Sequence, residues 1–504
     1  MKTLALAASV SLLAVTAAAA QDFGAAAQRD VDALHQEIRD NHPALVTGGD
    51  EAGFAQRLAA GYATARDEAS RVRDAQAYAF TLRRFARSME DTNISFDPNW
   101  QTPPLWDAQR WTQFTTGWRN GAYVVTWVDP AAGRNAPPVG ATLISCGEQS
   151  AEEFARRRLD GWEGDLDQPG DREQTAPYLF WDRGNPFVGG LPTSCRFAPN
   201  GRGRGRDYTL AGAFATEPSL RAAWASTVYT PQTALSVETM AGGHWIHVHD
   251  LSQGNASQAF LAQIDAQLAA IQGGNVVIDL RGARSGSAAL GYSLANRLWG
   301  VDYRVSQQRI SGQIVYRVSQ DNRQFFADTL GRMQGDPVFA ANYPGAVRQM
   351  QDLLAQFDAA AASGQRTFTQ QITPPIPAIE AAAVEGEASA AAQAAAPTNA
   401  MRGNIVVLVD GGCRNACLDV VDMLATLPNV RIAGTPTGAD SIHFEQTRVA
   451  LPSGHGYLNY GHKTWVGRTR ASNVGFVPTG SLAYTGSPTD EGAVRAWVAS
   501  LFGG

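Results

Sequence analysis

The residues with the most chemical capacity cluster at one turn. In Asn404 to Leu424, NIVVLVDGGCRNACLDVVDML, an aliphatic run stops at Asp410-Gly411-Gly412, and Cys413 and Cys417 follow. Two thiols at this spacing can close a disulfide across the turn or pack as a reduced pair, and both readings stay open. A metal is not expected there, because no further Cys or His ligand is near in sequence. A second group is His244, His247 and His249 in HWIHVHDL. Imidazoles two apart on one strand face can bind a metal, yet only Asp250 lies near them, so they read as strand surface. His35 and His42, in the N-terminal part, read as surface or helix-end residues.

Regular elements must position that turn. Ile405, Val406, Val407, Leu408 and Val409 form a run without alternation, which predicts a strand buried on both faces. Leu418, Val421, Met423 and Leu424 recur at helical spacing. Strand, glycine turn and helix put the turn at the carboxyl end of a sheet, where backbone N–H groups at a helix start converge. NVVIDLRGARSGSAALGYSLANRLWG repeats the pattern, SQAFLAQIDAQLAAI is an amphipathic helix, and RIAGTP adds a short strand. Repeated βα units predict a largely parallel sheet covered by helices.

The remaining chain divides by periodicity. From Asp30 to about Met89 the pattern is helical, with Val31, Leu34 and Ile38 on one face and Asn41-His42-Pro43 ending the first helix. Residues 111–233 alternate as short strands with turns, and NGRGRGRD, carrying Arg202, Arg204 and Arg206, reads as a solvated hairpin tip. Residues 358–400, rich in Ala, Glu and Pro, read as a surface insertion, part loop and part frayed helix. The segment from Leu451 reads as irregular β, and DEGAVRAWVASLF as a closing helix.

MKTLALAASVSLLAVTAAAAQDF has one charge, a short apolar core and small residues at Ala18-Ala19-Ala20, which predicts a signal peptide cleaved near Ala20. A periplasmic or secreted address follows, with no membrane span elsewhere. The formal net charge of −6 argues against nucleic acid as a partner. Of the four cysteines, Cys146 and Cys195 are the favoured pair within the second part.

Together these segments resemble the S41 peptidases, the tail-specific or carboxyl-terminal-processing proteases. NVVIDLRGARSGS resembles that family's DLRxNxGG strand end, and VVLVDGGCRNACLDVVDML resembles its nucleophile turn, which one subgroup writes C-x-S-A-C-L-D. Leu451-Pro452-Ser453-Gly454 and Gly467-Arg468-Thr469-Arg470-Ala471-Ser472-Asn473 match later stretches of that subgroup, and VGATLISCGEQSAEEF resembles part of a PDZ-like domain. The resemblance implies an α/β fold: a ClpP/crotonase-like core (234–504), an N-terminal helical part (21–110) and a PDZ-like, mostly β module (111–233).

For the site, the resemblance implies a serine nucleophile, a base, and an oxyanion hole from the amides of Gly286 and Ala416. The positions depart from it. Asn415 stands where the serine is expected, Asp440 in Thr437-Gly438-Ala439-Asp440 where a lysine is expected, and Asn93 where another type carries histidine. A neutral carboxamide is a poor nucleophile. Ser285 or Ser441, with His443 or Glu445 as base, could supply a relocated pair, although Ser285 and Ser287 read as turn residues. Asn415, Asp440 and Asn93 are expected to hydrogen-bond to one another and hold the cleft shut. The expected function is thus a serine-type peptidase by resemblance that is weakened or inactive, needs no cofactor, and binds a peptide or the carboxyl-terminal segment of a protein. The alternatives are an active peptidase with a relocated nucleophile, or a small-apolar-ligand binder on the same fold.

Overall fold

A computed structural model describes residues 22–47, 50–99, 110–199, 204–284, 286–307, 312–371 and 397–503. The expected signal peptide, Arg202, Ser285 and much of the Ala/Pro-rich stretch lie outside these. Three helices, Phe23–Asn41, Glu51–Arg71 and Ala75–Arg87, open the fold, the first and third capped by Asp22 and Asp74. Val31, Leu34 and Ile38 are fully buried against Phe54, Leu58 and Leu82. The first helix stops before Pro43, as its fixed φ and missing N–H require.

The core sheet has the strand order Leu235–Met240, Gly243–Val248, Asn275–Asp279, Ile405–Val409, Val430–Gly434. The first pair is antiparallel and the others are parallel. Ile405–Val409 is buried at every residue, which explains its unbroken aliphatic run. Helices Asn255–Gly273, Ala289–Trp299 and Ala416–Leu424 pack on one face and the helix Glu491–Phe502 on the other. A separate antiparallel sheet of Phe114–Arg119, Ala122–Val128, Thr142–Cys146, Ser194–Ala198 and Arg206–Thr209 forms the PDZ-like module. Arg204 and Arg206 are exposed beside its last strand, as a hairpin tip requires. Cys146 and Cys195 face each other across two of these strands and are disulfide-bonded.

Two stretches are more regular than their composition predicts. Asp358 to Gln371, taken above as the start of an insertion, completes the helix Pro344–Ala362 and forms the strand Thr367–Gln371. Phe368 supplies the reason, stacking on Tyr316 of the neighbouring strand at 4.9 Å. The segment expected to be irregular β holds the 11-residue strand Gly456–Val466, central to a sheet with Ser95–Pro98, Gln313–Arg317 and His443–Ala450.

His462 sits in that strand, fully buried between Phe325 and Phe326 (ring centroids 4.5 and 4.8 Å), with neither ring nitrogen hydrogen-bonded among the described residues. Burial pushes its imidazole down to about 3, with Glu445 opposing and Lys463 assisting. Between pH 6.5 and that value the unfolded chain binds a proton the folded chain refuses, so stability falls as pH falls through this window. At pH 5 the cost is about 2 kcal/mol. His462→Phe should therefore lower the denaturant midpoint less than wild type does between pH 7.5 and pH 5. An identical pH slope in both proteins contradicts this.

Candidate functional site

The turn between Val409 and Ala416 is held from three sides. Asp410 is buried and its carboxylate accepts the amides of Gly412 (2.9 Å) and Gly282 (2.8 Å), which ties this turn to the one after Asp279. Burial pushes the Asp410 carboxyl up, opposed by its bond from Gly282. The short helix Pro169–Thr175 of the β module lies directly above. A methyl group on Gly170 would come 2.1 Å from the Thr437 carbonyl oxygen, and one on Gly411 would come 2.7 Å from the Gly170 oxygen, so glycine is required at both close approaches. Asp171 pairs with Arg414, and Gln174 accepts from Arg284.

Asn415 has φ 50° and ψ −117°, a left-handed conformation costly for a residue with a Cβ, and it starts the helix Ala416–Leu424. Its carboxamide is exposed and makes no hydrogen bond among the described residues. Cys413 and Cys417 are disulfide-bonded around it, which decides between the two readings of that pair. The amides of Gly286 and Ala416 donate to no other group among the described residues. Gly286 has φ 110° and abuts the Leu251 backbone, which leaves no room for a side chain.

The expected mutual bonding of Asn415, Asp440 and Asn93 does not occur. Asp440 is buried and its carboxylate binds two guanidinium groups, Arg468 at 3.0 Å and Arg470. Arg470 also holds Asp422 at 3.0 Å. Asn93 is buried and donates to the His443 carbonyl (2.6 Å). The Arg468-x-Arg470-x-x-Asn473 stretch thus governs both base positions. Its arginines fix Asp440, and Asn473 binds the Glu90 carbonyl and the Thr92 amide just before Asn93. These charges and amides outcompete a contact with an exposed turn residue.

The other candidates are also engaged. Ser441 is buried and its hydroxyl accepts the His443 amide (2.9 Å). His443 shares Nδ1 with the Thr464 hydroxyl (2.8 Å), and burial pulls it down to about 4. Glu445 is paired with Lys463. The Ser287 hydroxyl accepts the Ala289 amide (3.3 Å), the role of a turn residue. Ser285 lies outside the described residues.

His42 is a helix-end residue, as expected, whereas the surface reading of the strand histidines is overturned. His42 is fully buried, its Nε2 3.3 Å from the Asp91 carboxylate, because Phe54 and the strand Gly456–Val466 close over the helix end. His244, His247 and His249 are buried as well, since their strand is paired on both edges and packed on one face by the helix Asn255–Gly273 and on the other by the helix Glu491–Phe502. His247 and His249 approach Asp279 at 3.8 and 3.5 Å. The three offer ligand atoms within 4.8 Å of one another, the spacing of a metal trio. Yet the Asp279 carboxylate already accepts four bonds, three from Arg281 and one from Trp245, and has no lone pair left for a metal. Although burial alone would raise it, the Arg281 guanidinium holds that carboxyl well below the usual carboxylate range. It latches the end of the strand.

Sequence reasoning missed Glu173, a buried residue of the helix Pro169–Thr175 above the turn, whose carboxyl is pushed up to about 7 by burial. It invoked a cleft at the site but named no lining for it. One of about 920 Å³ runs from Arg414 and Arg284 past Asn473 and Thr92 to Arg83 and Arg87 of the N-terminal helices. Among the described residues no helix is long and apolar enough to cross a membrane.

No protein-family model and no curated protein matches the chain by sequence. Solved structures do match. The crystal structure of the CPAF s499a mutant is 12% identical with a TM-score of 0.59, covering 95% of this chain and 96% of that one. Mature CPAF complexed with lactacystin gives 12% and 0.57, over 95% and 97%. Mature CPAF gives 11% and 0.55, over 90% and 92%. At these identities the similarity shows the fold alone: the chain shares the architecture of CPAF along nearly its whole length.

Proposed function

We propose that this protein is an exported, S41-type peptidase scaffold without catalytic power, which retains a polypeptide segment in the cleft beside the old nucleophile turn. One observation carries the reading. The Asn415 backbone keeps the strained geometry that presents a nucleophile at a helix start, while its side chain cannot attack and both base positions are tied to other partners. Strain of this kind persists where the surroundings enforce it, and here a disulfide and a buried aspartate do so. The free amides of Gly286 and Ala416 form an oxyanion-type cradle that holds a peptide carbonyl without cleaving beside it. Binding then rests on main-chain hydrogen bonds and the cleft walls.

Asn415→Ser tests this. The variant gains a hydroxyl at the right turn but no base, so hydrolysis of unstructured peptides should rise less than tenfold above the wild-type background, with folding unchanged by circular dichroism. A large gain would mean that a working base is present.

A further inference from the structure

Asn415 holds a backbone torsion with a chemical consequence of its own. In an L-residue Cβ stands about 120° round the Cα–C bond from the residue's own nitrogen, so a ψ near about −120° lines it up with the next nitrogen. Asn415 has ψ −117°, which brings its Cβ into line with the Ala416 nitrogen to within a few degrees. The usual helical and extended values, ψ about −42° and about +135°, leave the two roughly 80° and 105° out of line. When they are aligned, the side-chain carbonyl carbon beyond Cβ closes a flat five-membered ring with that nitrogen. The turn thus presents an asparagine in the backbone shape of its own cyclic imide.

The surroundings favour closure. The Asn415 carboxamide is exposed and bonds nothing among the described residues, so one side-chain rotation carries Cγ onto the nitrogen. The Ala416 amide donates to no group among the described residues, and its own side chain is a single methyl that shields it little. That nitrogen opens a helix, where negative charge is favoured. The Asn415 carbonyl oxygen accepts the amides of Leu418 (2.8 Å) and Asp419 (3.2 Å). Both bonds fix the peptide plane and draw electrons from its nitrogen, which makes the amide proton more acidic. Asp410 and the Cys413–Cys417 bridge hold the turn in this shape. Asn93 and Asn473 offer no such opening, because their carboxamides donate to the His443 and Glu90 carbonyls.

We propose that Asn415 is a site of spontaneous self-modification through a succinimide. A base of the solvent takes the Ala416 amide proton, and the nitrogen attacks Cγ of Asn415. A Cγ–N bond forms, the Cγ–Nδ2 bond breaks, and the amide leaves as ammonia after taking up a proton. Water then adds to one of the two imide carbonyls and breaks its bond to the Ala416 nitrogen. Opening at Cγ leaves aspartate, and opening at the main-chain carbonyl leaves isoaspartate. Nothing is oxidised or reduced, and no base is needed at the positions of Asp440 or Asn93. The modification goes beyond the peptide-binding reading and does not rest on it. It replaces a neutral group by a carboxylate beside the amides of Gly286 and Ala416.

Incubation of the full chain at pH 8 and 37 °C in oxygen-18 water, followed by peptide mapping, reads the conversion as heavy oxygen at Asn415. Methylation by an isoaspartyl methyltransferase reads the isoaspartate fraction. A synthetic peptide of residues 411–419 with its disulfide closed supplies the rate set by local sequence alone. Conversion in the folded chain should be at least about tenfold faster than in the peptide, because the fold has already aligned the reacting atoms. It should also rise with hydroxide concentration between pH 7 and pH 8.5, and should vanish in Asn415→Gln, whose side chain is one carbon too long for this ring. Conversion no faster in the folded chain than in the peptide overturns the proposal, since alignment by the fold is then without effect. A rate independent of pH overturns it as well, since the amide nitrogen is then not the attacking group.

Discussion

Asp440→Lys should unfold this protein rather than revive it. On the S41 resemblance the substitution restores a base, and combined with Asn415→Ser it would rebuild a Ser/Lys pair. The surroundings forbid that. The side chains of Asp440, Arg468 and Arg470 are only about one-twentieth exposed, and the carboxylate is shared by both guanidinium groups. Removing one member of a buried ion pair typically costs about 3–5 kcal/mol, because the remaining charge is left uncompensated. Asp440→Ala belongs near the lower end, since Arg470 keeps Asp422. A lysine adds a third cation to the same pocket and costs more. Chemical denaturation should show Asp440→Ala with a clearly lowered midpoint, and Asp440→Lys with little folded protein and no peptidase activity in the double variant. A stable, active double variant would mean that the arginines can turn away from this position.

Loss of the Cys146–Cys195 bridge should be nearly as damaging. The bond closes a loop with a sequence separation of 49, for which loop entropy gives about 4 kcal/mol of stabilisation at 25 °C. It joins two strands of the PDZ-like sheet, whose core includes Phe114, Phe154 and Phe197. Cys146→Ala with Cys195→Ala should melt this module well below the wild-type temperature and raise its proteolytic sensitivity. Cys413–Cys417 spans four residues and restrains the unfolded chain far less, so its removal should act mainly on the strained turn at Asn415. Equal losses from the two bridges would contradict this.

The strand and helix flanking Asn415 were legible in the sequence because their signal is local. An unbroken aliphatic run, a glycine turn and a helical recurrence suffice for Ile405 to Leu424. The roles of Asp440 and Asn93 were not, because their partners are distant in sequence. Arg468 and Arg470 come 28 and 30 residues after Asp440, and His443 lies 350 residues from Asn93. The burial of His42, His247 and His249 escaped for the same reason, since other elements cover them.

The claim on which all of this depends is that no side chain at the turn can attack an electrophile. Intact-protein mass spectrometry after prolonged exposure to a fluorophosphonate tests it directly. An unshifted mass is predicted for the wild-type chain. A single phosphonyl adduct, mapped to a cleft residue and lost when that residue is replaced by alanine, would contradict it.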